Sequence, residues 1–199
     1  MVNLIHERIV SVVSTASQRA AGGPGFVLTA EANEEAYVFE EFMGIPAHPL
    51  LIHAAVVFVP LLILVGLGYA LVPALRTYLW WAALLLAVTA PGAALLAKLS
   101  GDAFRARLVR NDMATPEGLA AIDEHRTFGT NLVYAALALG VLLIVLVRLS
   151  RSRTPDAPAR SSTPVTIALT VAVLAASGAA GYYVFQAGDT GARMVWGTM

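Results

Sequence analysis

Cysteine is absent from the 199-residue chain. This absence excludes disulfide bonds, thiol catalysis, iron–sulfur clusters, zinc–thiolate sites and covalently attached haem, because each of them needs a cysteine sulfur. Redox or metal chemistry would therefore depend on the four histidines, on carboxylates or on the backbone. The sequence also has no Ser-His-Asp order, no phosphate-binding glycine loop and no His-Glu-x-x-His motif. We therefore do not expect a stand-alone enzyme of these classes.

Charged residues are scarce, at 13% of the chain, and the 13 basic residues balance the 13 acidic ones. Soluble domains have roughly 25% charged residues. Because 58% of the residues are hydrophobic, the charges are too few to cover the surface of a soluble globule. The balanced charge also gives no electrostatic basis for binding nucleic acid.

The hydrophobic residues form four stretches of about 20 residues, the length that crosses a hydrocarbon layer of roughly 30 Å as a helix. They cover residues 50–72, 79–97, 128–147 and 165–187. A helix start is also predicted at Pro116, because Thr115 is a good capping residue and proline suits the first helical position. The sequence therefore predicts an all-α fold, an integral membrane four-helix antiparallel bundle.

The connections differ in their density of positive charge. The first connection contains Arg76, and the third contains Arg148, Arg151, Arg153 and Arg160. Cations are enriched in cytoplasmic loops. We therefore expect a multi-pass membrane protein with these two connections on the cytoplasmic side. Both termini and the long loop at 98–127 would lie on the extracytoplasmic side.

Residues 1–43 form a segment ahead of the four-helix domain at 44–199. Apolar residues recur on one helical face near its start: Ile5, Ile9, Val12, Val13 and Ala16. This pattern predicts an N-terminal amphipathic helix that lies on the membrane or docks on a partner. A glycine-rich linker at 20–25 and an acidic run at 31–41 follow it.

Polar residues of the domain concentrate at one end of the predicted bundle. His48 and His53 begin the first span, Asp102 follows the second, His125 precedes the third and Asp189 follows the fourth. In an antiparallel bundle these ends lie at the same membrane face. His48 and His53 are five positions apart and diverge by about 140° on a helix, so they can approach one ion only if His48 lies outside the helix.

Three interpretations of these residues remain open. His53 and His125 are suitable axial ligands for one b-type haem, with His48 as an alternate ligand or supporting group. Alternatively, His48, His53, His125 and Asp189 could bind zinc, copper or non-haem iron. The third interpretation is that the histidines are interfacial side chains that bond to backbone, water or lipid headgroups.

Three sequence blocks resemble a known family. They are GIPAHPLLIH at 44–53, Glu124-His125, and TGARMVW at 190–196. Together they resemble the bacterial predicted-membrane-protein family known as domain of unknown function 2231 (DUF2231). The resemblance implies four helices, and the joining of some members to Rieske-type or cytochrome c domains implies membrane electron transfer. Family members often carry histidine where this chain has Asp189, and this departure weakens any arrangement with a second haem.

The expected function is an electron-transfer component that binds a b-type haem near the outer membrane face. It would pass electrons between the quinone pool or a redox partner and an extracytoplasmic acceptor. One alternative is a cofactor-free accessory subunit that docks on a larger membrane complex through residues 1–43. The other is a metal-ion site for transport or sensing, although no ionisable residue lies deep in spans two to four.

Overall fold

The computed structural model describes residues 41–42, 45–151 and 164–197. Four long helices make up most of this part of the chain: α1 (Ala47–Leu71), α2 (Arg76–Arg110), α3 (Pro116–Arg151) and α4 (Pro164–Trp196). Two short antiparallel strands, β1 (Glu41–Phe42) and β2 (Ile45–Pro46), precede α1. The predicted amphipathic helix near the N-terminus lies outside the described residues.

The four helices form a bundle in which each helix packs against the next and α1 also packs against α4. Each helix is long and apolar enough to cross a membrane, by length and composition. Large apolar side chains remain exposed on the outside of the bundle, as lipid contact requires. The predicted all-α fold, an integral membrane four-helix bundle, is therefore confirmed.

The segment at 98–127 differs from the long loop that we expected. It is a helical hairpin in which α2 continues to Arg110 and α3 begins at Pro116. Thr115 caps α3 as predicted, since its Oγ1 accepts a hydrogen bond from the backbone N–H of Gly118 at 3.2 Å. The intervening turn places Asp112 at a φ of 50°, a left-handed conformation that aspartate tolerates. These helical extensions lie beyond the apolar stretches and carry the polar residues of this end.

The first connection is short, because a 3₁₀ turn covers Pro73–Leu75 and α2 begins directly afterwards. The Arg76 guanidinium donates hydrogen bonds to the carbonyls of Tyr69 at 3.0 Å and Ala70 at 3.1 Å. These carbonyls belong to the last turn of α1, where they lack helical partners. Arg76 therefore satisfies the end of α1 and holds the hairpin closed.

The backbones of α2 and α3 come close together in the core. Pro91 has no N–H, so the carbonyl of Ala87, four residues earlier, loses its helical hydrogen bond. Gly140 of α3 packs on this carbonyl so closely that a Cβ built on Gly140 would lie 2.5 Å from the Ala87 oxygen. The carbonyl that Pro91 leaves without a helical partner thus lies where the two backbones meet.

Candidate functional site

The polar end of the bundle brings all four helices together around two histidines. His48 of α1 lies against Ala97 and Ser100 of α2, and His125 of α3 lies against Thr190 of α4. We call the group of His48, Ser100, His125 and Thr190 the histidine end. It lies outside the apolar stretches, which begin at residue 50 in α1 and at residue 128 in α3.

The His48 ring is fixed by α2. Its Nδ1 lies 3.1 Å from the carbonyl oxygen of Ala97 and 3.0 Å from Oγ of the buried Ser100. The Ser100 hydroxyl donates its own proton to the Ala97 carbonyl at 2.8 Å, so both oxygens are acceptors for Nδ1–H. A Cβ built on Gly101 would lie 3.0 Å from Cε1 of His48, so glycine at this position leaves room for the ring.

The His125 ring is fixed in the same way by α4. Its Nδ1 lies 3.1 Å from Oγ1 of Thr190, and that hydroxyl donates to the carbonyl of Gln186 at 2.7 Å. Oγ1 must therefore accept from Nδ1–H of His125. A Cβ built on Gly191 would lie 3.3 Å from Cε1 of His125, which again leaves little room beside the ring.

The two histidines share one tautomer and lie next to each other. Their ring centroids are 6.3 Å apart with an angle of 82° between the planes. With both Nδ1 atoms protonated, each Nε2 carries a lone pair. The backbone carbonyl of Ala187 also accepts a hydrogen bond from the His125 ring. Burial lowers the pKa of both His48 and His125, which favours the neutral form. Anchoring of one ring nitrogen by a carbonyl or hydroxyl is typical of histidines whose other nitrogen binds a metal.

The other two predicted site residues are not part of this pair. His53 is exposed, and its Nδ1 contacts the carbonyl of Pro49 on its own helix. A site shared by His48 and His53 would require His48 to lie outside the helix. However, α1 begins at Ala47, so His48 lies inside it. Asp189 forms an ion pair with Arg193 one turn later. In the described part of the chain, no group of three or more His, Cys, Asp or Glu side chains could hold a metal ion.

Comparison with known proteins identifies the family. The profile of the family described as "Predicted membrane protein (DUF2231)" matches residues 44–199. This chain belongs to the DUF2231 family. No curated protein and no solved structure matches it significantly. The resemblance inferred from the blocks at 44–53, 124–125 and 190–196 is thus confirmed.

The sequence of this DUF2231 protein did not single out the residues that fix its two histidines. Ser100 and Thr190 were missed, although Thr190 opens the TGARMVW block on which the resemblance rests. Serine and threonine are common at helix ends for other reasons, such as capping. Only the packing of α2 against α1 and of α4 against α3 gives these two hydroxyls their partners.

A network of ion pairs joins α2 to α3 beside the histidine end. Asp102 accepts from Lys98 and from the Arg126 guanidinium, the latter at 2.8 Å. Asp123 accepts from Arg126 at 3.0 Å and from Arg105 at 2.6 and 2.7 Å. Burial opposes ionisation of Asp102, but the hydrogen bonds from Lys98 and Arg126 outweigh it and lower its pKa. The pKa of Asp123 is lowered by its hydrogen bonds to Arg105 and then Arg126.

Acid should loosen this network. The folded-state pKa values of Asp102 and Asp123 lie below the ordinary value, so the stabilisation is fully present above the unfolded pKa of about 3.9 and is lost as the pH falls through the folded values. Lowering the pH from about 6 to about 3 is expected to increase amide hydrogen exchange at 98–127 more than in the apolar spans, after correction for intrinsic rates. Equal protection of 98–127 at both pH values would show that the ion pairs do not stabilise the hairpin.

Proposed function

We propose that this DUF2231 protein is an integral membrane electron-transfer component that binds one b-type haem through His48 and His125. The observation that carries the proposal is the pair of imidazoles from different helices, each with Nδ1–H anchored and a lone pair on Nε2. This replaces the pairing of His53 with His125 that the sequence suggested. His53 instead lies exposed on α1.

The donor set suits haem better than a bare ion. Haem iron needs only two axial protein ligands, whereas zinc sites and most other ion sites use three or four. His48 and His125 would supply these two ligands, since they come from different helices and their ring centroids lie 6.3 Å apart.

Glycines beside His125 provide open space. Gly129 lies one turn after His125 on α3, and Gly188 lies on α4 near Thr190. A Cβ built on either glycine would meet no other atom within 4 Å. Gly188 itself is exposed, so the space beside it opens to the outside of the bundle. A bound haem would supply one-electron transfer, and the chain would hold and orient it.

The partners of this electron transfer remain as proposed from the sequence: the quinone pool or a redox partner on one side, and an extracytoplasmic acceptor on the other. The placement of the histidine end on the extracytoplasmic side belongs to the same proposal. The accessory-subunit alternative depends on the tail at 1–40, which lies outside the described residues. No observation favours the ion-site alternative, since the described residues bring no third ligand to the pair.

The absorption spectrum of the full chain tests the proposal. Protein purified in detergent from cells with an adequate haem supply is expected to show a Soret band that shifts on dithionite reduction, with sharp α and β bands. Such a spectrum is expected because two axial imidazoles favour low-spin iron. A featureless spectrum from folded protein would overturn the proposal. Metal analysis of the same sample would then distinguish an ion site from a cofactor-free subunit.

A further inference from the structure

A polar pocket lies between α2 and α3 at the boundary between the charged hairpin and the apolar spans. It has a volume of about 410 Å³ and is lined by Arg105, Asp123, Arg126, Thr127 and Thr130. Two guanidiniums and two hydroxyls thus surround a single carboxylate. Thr130 is only two residues past the start of the apolar stretch at 128, which places the pocket at the depth of lipid headgroups.

Asp123 arranges the two arginines without exhausting their donors. It accepts from Nε and Nη2 of Arg105 and from Nη1 of Arg126. A guanidinium has more N–H donors than these bonds use. The network of Lys98, Asp102, Arg105, Asp123 and Arg126 carries one more positive than negative charge. The pocket therefore offers fixed N–H donors and a local positive charge, which together suit a phosphate group.

The surface below the pocket is apolar and faces outward. Thr127 and Thr130 share one face of α3 with three residues further along the helix, Tyr134, Leu137 and Val141, because their spacing follows the helical repeat. Those three side chains are 67%, 52% and 53% exposed. A molecule bound in the pocket therefore has an exposed apolar track beneath its polar group, as a phospholipid would need for its acyl chains.

We infer that the pocket of Arg105, Arg126, Thr127 and Thr130 binds the phosphate of an anionic phospholipid whose acyl chains lie along Tyr134, Leu137 and Val141. The phosphate would accept from the remaining N–H groups of the two arginines, while the hydroxyls of Thr127 and Thr130, which donate to the carbonyls of Asp123 and Arg126, line the pocket without donating to it. Basic pockets between transmembrane helices bind acidic headgroups in this way. This inference does not depend on haem, since none of these residues contacts the rings of His48 or His125.

Lipid titration followed by native mass spectrometry tests the inference. Delipidated full-length chain in detergent would be titrated with phosphatidylglycerol, with phosphatidylcholine of the same acyl chains, and with inorganic phosphate. We expect phosphatidylglycerol to bind more tightly than phosphatidylcholine, and Arg105→Gln to weaken it by about tenfold, the loss typical of a charge-assisted hydrogen bond.

The matched control is Arg193→Gln. Arg193 is also paired with an aspartate, Asp189 at 2.9 Å, and lies at the same end of the bundle but outside the pocket. Its replacement should change phosphatidylglycerol binding by less than about twofold. If Arg105→Gln fails to fold, Arg105→Lys keeps the positive charge beside Asp123 but removes the forked N–H donors of the guanidinium, and should still weaken binding.

Three results would overturn the inference. The first is equal phosphatidylglycerol affinity in the folded pocket variants and in Arg193→Gln. The second is equal affinity of the native chain for the two lipids, which would remove the role of net headgroup charge. The third is full displacement of phosphatidylglycerol by millimolar inorganic phosphate, which would make the pocket a site for soluble anions.

Discussion

Alanine in place of His48 or His125 is expected to abolish the low-spin haem spectrum of the purified chain, whereas His53→Ala should leave it intact. Either loss removes one of the two imidazoles, and the described residues bring no other histidine, aspartate or glutamate to the pair. The measurement is the reduced-minus-oxidised absorption spectrum, with the haem content per folded chain. We expect a fall of about tenfold or more in the α-band intensity per folded chain, because haem iron loses one of its two axial ligands.

His53→Ala is a matched control because the residue has the same chemistry and lies on the same helix as His48, yet is exposed. The His53→Ala variant also distinguishes the pairing of His48 with His125 from the pairing of His53 with His125. Loss of the spectrum in His53→Ala together with its retention in His48→Ala would restore the pairing of His53 with His125. An unchanged spectrum in both His48→Ala and His125→Ala would sink the assignment of either residue as a ligand.

The membrane fold could be predicted from the sequence because it depends on length and composition. Stretches of about 20 apolar residues have few structural alternatives, since a membrane span must satisfy its own backbone hydrogen bonds. The sequence also predicts at which end of the bundle the polar groups meet, because successive helices alternate in direction. Even the cap at Thr115 depends only on residues within one turn, so it was also predictable.

The pairing of histidines could not be predicted in this way. Helical spacing shows that His48 and His53 point in different directions, but it does not show which of them faces the bundle. That choice depends on where α1 begins and on contacts with Ala97 and Ser100, about fifty positions away in the chain. The continuation of α2 to Arg110 is likewise not predictable from the sequence, although the start of α3 at Pro116 is. The charged residues of the hairpin at 98–127, among them Arg105 and Asp123, satisfy one another only once α2 and α3 are side by side.

The interface between α2 and α3 gives the second large effect, a severe destabilisation by Gly140→Ala. The added Cβ would lie 2.5 Å from the carbonyl oxygen of Ala87, closer than non-bonded atoms approach. The obstacle is backbone rather than a flexible side chain, so the helices must separate. Overpacking in a core costs about 1–3 kcal/mol. We expect a loss at the upper end of this range or beyond, measured as a lower midpoint of unfolding in detergent.

The control for this variant is Gly178→Ala in α4, where an added Cβ would meet no other atom within 4 Å. Glycine costs up to about 1 kcal/mol relative to alanine inside a helix, so this variant should be neutral or slightly stabilising. Opposite changes in stability for Gly140→Ala and Gly178→Ala would distinguish a steric clash at Gly140 from a general effect of replacing glycine in these helices. Equal midpoints for the two variants would mean that α2 and α3 are further apart than the structure has them.

Because the same two helices bear the Arg105–Asp123 and Arg126–Asp102 ion pairs, Gly140→Ala should also weaken phosphatidylglycerol binding, an effect absent from Gly178→Ala.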